Sequence, residues 1–100
     1  MEIFDLKEIR SYPYSQRDKN VFYAADGFKT RIIDLYAGEK IPDCQMESYV
    51  IFYVINGEAL ITVNSHGSII NSAKCLITEP AVFSIKSKTG ARIVGIQIKK

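Results

Sequence analysis

GEKIPDCQMESYVIFYVINGE, residues 38–58, is the stretch from which the architecture follows. It opens on a Gly-Glu and Pro42 turn region, rises through a β-branched and aromatic run, and closes on Asn56-Gly57. The run SYVIFYVI (48–55) is built from residues that suit a pleated, buried surface. Asn-Gly directly after such a run is the strongest short hairpin signal, because both residues accept positive φ in a type I′ turn. The sequence therefore predicts a hairpin at Asn56-Gly57, with EALITVN (58–64) as the return strand. Side chains on a strand alternate faces. One face then carries Cys44, Met46, Ser48, Val50, Phe52 and Val54; the other carries Gln45, Glu47, Tyr49, Ile51, Tyr53 and Ile55. A strand with one wet face alternates apolar and polar, yet from Tyr49 onward this one is apolar or aromatic on both. Both faces are expected to be covered, one by the core and the other by a second layer or a second subunit. Left bare, such a run invites edge-to-edge aggregation.

The rest of the chain repeats the pattern on a smaller scale. EIFDL (2–6) alternates and is expected as an edge strand. Residues 7–19 are polar, broken by Pro13, and read as loop. Strands are expected at NVFYA (20–24), FKTRIIDLY (28–36), SIIN (68–71), CLIT (75–78), FSIKS (83–87) and ARIVGIQI (91–98). Turns are expected at residues 25–27, 37–43, 65–67, 72–74 and 88–90. No window sustains a helical period with capping residues. About nine short strands with turn chemistry between them point to an all-β sandwich or barrel of two antiparallel sheets.

With 100 residues the chain is read as a single domain, with a core barrel over about 28–98 and N-terminal strands and loop over 1–27. A domain this short buries roughly 60–65% of its unfolded surface, so dimerisation adds useful stability. The net charge of +2 is too mild to call for nucleic acid. Charge is uneven, however. Residues 1–50 hold nine acids and seven bases, residues 51–100 two acids and six bases, with a basic tail of Lys86, Lys88, Arg92, Lys99 and Lys100. That tail reads as a solvated face, with attraction of an anion as the alternative. Cys44 and Cys75 form no CxxC and have no histidine nearby, so no zinc spacing exists and reduced cytoplasmic thiols are expected. The start MEIFDLKEIR lacks an apolar signal region, and no apolar run approaches a membrane span.

These residues resemble the cupin family of small β-barrels. The first cupin motif is Gly, five residues, His-x-His, a gap, Glu, six residues and Gly. Gly38 and Gly57 match its outer glycines, and YVINGEALITV resembles its hairpin. NSAKCLITEP (71–80) resembles the strand of the second motif that runs to a proline. The resemblance implies a cupin-like β-barrel (jelly roll) that dimerises through a sheet face. It also implies an interior metal site of three His and one Glu. In this sequence those four places fall on Cys44, Met46, Val50 and Ile85. Val and Ile cannot ligate, Cys and Met are soft donors unsuited to Mn, Fe or Ni, and the single histidine, His66, lies in a turn. The site reads as degenerate, with no cofactor and no metal expected.

In the cupin frame Cys44, Met46, Val50, Phe52, Phe83 and Ile85 line an apolar barrel pocket suited to a small apolar or weakly anionic molecule. Small barrels are also commonly filled by their own side chains. Cys44 reads as a small buried hydrophobe. The alternatives are a nucleophile, which would want a base or cation beside it, or with Met46 one arm of a soft Cu(I) site. Glu47 and Glu79 are the carboxylates available to acid–base work of the isomerase or lyase kind, and Arg31 and Arg92 the arginines available to an anion. Tyr49, Ile51, Tyr53 and Ile55 form an outward stripe expected to be buried in a homodimer. The preferred function is a metal-free small-molecule binding protein, with no nucleic acid or membrane partner.

Overall fold

The computed structural model describes residues 1–99; Lys100, counted above in the basic tail, lies outside the described residues. Eight strands follow a 3-10 segment, Tyr14–Asn20: β1 Val21–Ala24, β2 Phe28–Leu35, β3 Lys40–Met46, β4 Tyr49–Val63, β5 His66–Asn71, β6 Cys75–Thr78, β7 Ala81–Lys86 and β8 Ala91–Ile98. Every pairing is antiparallel. One sheet runs β1-β2-β8-β4-β6, the other β5-β4-β7-β3, and β4 belongs to both.

Asn56-Gly57 is therefore not a hairpin. β4 runs straight through it, and the return partner expected for residues 48–55 is instead the continuation of the same strand. Residues 49–57 pair with β8, while 58–63 pair with β5. The register slips between Val54 and Asn56, and Gly57 has φ +82°. A Cβ on Gly57 would collide with the Gly90 carbonyl oxygen and lie 2.8 Å from Ala91 Cα. The glycine thus serves a bulge under a close backbone crossing, which bends the strand from one sheet into the next. The hairpin lies further on, at Asn64-Ser65 (φ 47° and 71°), which joins the paired residues Val63 and His66.

Two other expectations are corrected. Residues 40–46, partly assigned to a turn, form β3, so Cys44 and Met46 sit on a strand separate from Val50 and Phe52. EIFDL forms no strand. Its backbone is held otherwise: the Glu8 amide donates to the Asp5 carbonyl, Phe4 packs edge-on against Phe22 at 4.9 Å, and Arg92 donates to the carbonyls of Leu6 and Ile9.

The core lies between the sheets: Leu35, Ile41, Val50, Phe52, Val54, Ala59, Ile61, Phe83, Ile85, Ala91 and Ile93 form one buried cluster. Val50, Phe52 and Val54 are thus one covered face, as their parity requires. Ile32 and Val94 are also buried but stand outside that cluster, paired with each other on the opposite face. Arg92, two residues before Val94 and on the same face, binds the N-terminal carbonyls. The chain's own N-terminal segment is therefore the second layer over β2 and β8. No helix among the described residues is long and apolar enough to cross a membrane.

Candidate functional site

A cavity of about 460 Å³ opens between the sheets and reaches along β2, where Ser11, Ile32 and Asp34 of the other face also border it; its volume is within the range of small-molecule sites. Cys44, Met46, Val50, Phe52 and Phe83 line it. Ile85 does not: it is 1% exposed, paired with Ile41 and Ile61, and packed into the core. Phe83 stands directly across from Cys44 in the β3–β7 register and meets Phe52 edge-on at 5.0 Å. Phe83 lies two residues before Ile85, and alternate residues of β7 keep one face, so the two share a face at different depths and only Phe83 borders the cavity.

The cavity has one apolar zone and one polar zone. Inward positions of β2 read Lys29, Arg31, Ile33, Leu35, and those of β8 opposite them read Gln97, Gly95, Ile93, Ala91. Gly95 lies between Arg31 and Phe52 in the three-strand register. Lacking a side chain, it leaves room that they fill: Arg31 Cγ and Phe52 Cε1 lie 3.5 and 3.6 Å from where its Cβ would stand. Arg31 donates to Gln97 Oε1 at 3.4 Å, and Gln97 Nε2 donates to Met46 Sδ at 3.0 Å. A further wall comes from residues 11–20, of which the sequence reads 11–19 as plain loop and Asn20 as the start of a strand. Buried Asn20 anchors it, accepting from the Tyr12 amide at 2.7 Å and donating to the Tyr12 carbonyl at 3.0 Å. The sequence does carry a signal for Gln97, one amide among the β-branched residues of ARIVGIQI. Nothing local marks residues 11–20 as a cavity wall.

Arg31 and Arg92, paired above as anion candidates, separate. Arg92 lies on the outer face, 2.6 Å from Asp34 in an ion pair with side-chain exposures of 12% and 29%. It also binds Leu6 and Ile9, and Ser11 reinforces Asp34 at 2.7 Å. Arg92 is a structural clamp. Glu47 and Glu79 are exposed and lie outside the cavity, and His66 is exposed at the β5 hairpin. Cys44 makes one weak contact, 4.0 Å to the Gln45 carbonyl.

The residues at the metal places do not fit a three-His, one-Glu site. Cys44 and Met46 offer sulfur, Met46 accepts the Gln97 amide, and Val50 and Ile85 offer only hydrocarbon. Among the described residues no three His, Cys, Asp or Glu come together as a metal cluster.

By sequence the chain matches no protein-family model and no curated protein. By structure it is similar to the TT1209 protein of Thermus thermophilus, with TM-score 0.85 and 18% identity over 99% of this chain and 98% of that one. A cupin superfamily protein of Desulfitobacterium hafniense superposes with TM-score 0.75 and 15% identity, over 80% of this chain and 74% of that one. The cupin domain of Cnp3 from Schizosaccharomyces pombe does so with TM-score 0.71 and 19% identity, over 80% of this chain and 61% of that one. The chain has the cupin fold: an all-β barrel of two antiparallel sheets.

Proposed function

We propose that the protein is a metal-free binding protein that holds a small apolar or weakly anionic molecule in its barrel cavity. The observation that carries the reading is the cavity itself, about 460 Å³ with an apolar floor of Val50, Phe52 and Phe83. A barrel of this size is usually filled by its own side chains, so the open volume is what favours a ligand. Binding is favoured over catalysis because Glu47 and Glu79 stand outside the cavity, Cys44 makes only its weak contact to the Gln45 carbonyl, and two of the carboxylates that do line it are engaged, Asp34 by Arg92 and Ser11 and Glu39 by the Tyr36 amide.

The test is a thermal-shift screen of small apolar and anionic compounds against the native chain and Cys44→Phe, which fills the cavity from β3. A ligand at a hundredfold its Kd stabilises the folded state by about 2.7 kcal/mol. The expected result is hits on the native chain that vanish in a folded Cys44→Phe. Hits that persist there place the ligand elsewhere. Elemental mass spectrometry of untagged protein completes the test, and a stoichiometric metal overturns the metal-free reading.

The proposal includes a homodimer that covers the outward stripe. Tyr49 and Tyr53 are 41% and 37% exposed, and Ile77, paired with Ile51 on the same face, is 68% exposed. Two free thiols, one of them on exposed Cys75, support a reducing compartment such as the cytoplasm.

A further inference from the structure

We propose that the cavity takes a monocarboxylate with an apolar body, and that Arg31, oriented by Gln97, receives the carboxylate. The proposal rests on the small-molecule reading of the cavity and adds the chemical class of the ligand.

The argument starts from the state of Arg31. It is a half-buried guanidinium on the inward face of β2, and its one hydrogen bond among the described residues is the long contact to Gln97. No carboxylate among the described residues lies within ion-pair distance. The carboxylates lining the same cavity are otherwise placed. Asp34 is held by Arg92 and Ser11, Glu39 Oε1 accepts the Tyr36 amide at 2.6 Å, and Asp18 stands beyond ion-pair reach of Arg31. The other arginine of the lining, Arg17, stacks on Tyr14 at 4.5 Å and donates to its carbonyl. Withdrawing a cation from water without a partner is costly. A cation held that way on an interior wall is what an incoming anion offsets.

Geometry selects the anion. A guanidinium presents a rigid planar fork that matches one carboxylate through two parallel hydrogen bonds. Gln97 fixes that fork, because its amide is held at both ends, by Arg31 on the oxygen and Met46 on the nitrogen. Beyond Arg31 the inward residues turn apolar at Ile33 and Phe52, so a head bound at Arg31 sends its body onto hydrocarbon. Arg31 also borders a second groove of about 530 Å³, shared with Lys29 and Gln97.

The test uses calorimetric titration of the full chain with 2-naphthoate, its neutral isostere 2-naphthamide, and inorganic phosphate. The native protein is expected to prefer the acid over the amide by about tenfold to a hundredfold, the range for a charge-assisted pair. Arg31→Met is expected to abolish that preference while leaving the amide affinity in place, and Arg31→Lys to keep part of it. Gln97→Met, at a positioning residue, is expected to narrow the acid-to-amide ratio without changing the unfolding midpoint. Equal affinity for acid and amide, or a preference that survives Arg31→Met or Arg31→Lys undiminished, overturns the carboxylate assignment but leaves the cavity as a ligand site. Phosphate binding as tightly as naphthoate overturns the apolar body. Binding of none of the three, together with an empty screen, overturns both readings.

Discussion

The sheet that runs β1-β2-β8-β4-β6 carries an arginine on each face, and the two are in opposite states. Arg92, outside, is saturated by Asp34 and by the carbonyls of Leu6 and Ile9, and it ties the N-terminal segment over Ile32 and Val94. Arg31, inside, meets only the amide of Gln97. The outer face is thus closed by the chain itself along β2 and β8, while the inner face retains a cavity and a cation without a carboxylate. A charge matched within the fold contributes to stability; a charge left unmatched on a cavity wall is available to a ligand.

Neighbouring residues on β4 give the largest expected contrast between the faces. Phe52→Ala removes a buried ring from the core and is expected to cost about 3–5 kcal/mol. Tyr53→Ser, one residue on and facing out, is expected to cost under about 1 kcal/mol in the monomer. Urea unfolding of both variants reads the difference, and similar costs would mean the outer face is as well packed as the inner.

The arginines come next. Arg92→Met strands the Asp34 carboxylate and releases the N-terminal carbonyls, for an expected loss of about 2–4 kcal/mol. Limited proteolysis is expected to cut earlier within residues 1–13 of that variant. Arg31→Met removes a partly desolvated cation without an ionic partner and is expected to move stability by less than about 1 kcal/mol. Equal losses at the two sites would erase the distinction drawn between them.

The mildest expected effect on folding lies on the part of the outer face that the N-terminal segment leaves bare. Ile77→Lys changes an exposed residue, so the monomer is expected to stay within about 0.5 kcal/mol of the native chain. Light scattering at micromolar concentration is expected to report a dimer for the native chain and a monomer for this variant. A native chain that is already monomeric removes the homodimer and leaves the exposed tyrosines to another role.

Some of this is open to reading in the sequence, and the limits have physical causes. The burial of Val50, Phe52 and Val54 follows from period-two alternation, a property of the strand alone. Asn56-Gly57 misleads because positive φ at a glycine suits a type I′ turn and a strand bulge alike. What separates the two is the approach of Gly90, distant in sequence. EIFDL alternates as a strand does, yet Phe22 and Arg92 occupy it in ways no local pattern announces. Counting from Pro80 places Ile85 in the pocket together with Phe83; Phe83 lines the cavity, while Ile85, paired with Ile41 and Ile61, packs into the core.

The sequence by itself determined the class of the fold, the apolar character of both faces of residues 49–55, and the lack of the histidines a three-His metal site would need. Those depend on composition and on alternation along one strand. Only the tertiary structure decided the roles of TRIID and ARIVG, two segments with an arginine before a β-branched pair. The β2–β8 register places Arg31 opposite Gly95, inside, and Arg92 opposite Asp34, outside. Register is a relation between strands, and a slip of one residue exchanges the faces. It is therefore set by the packing of the whole barrel, which no single segment encodes.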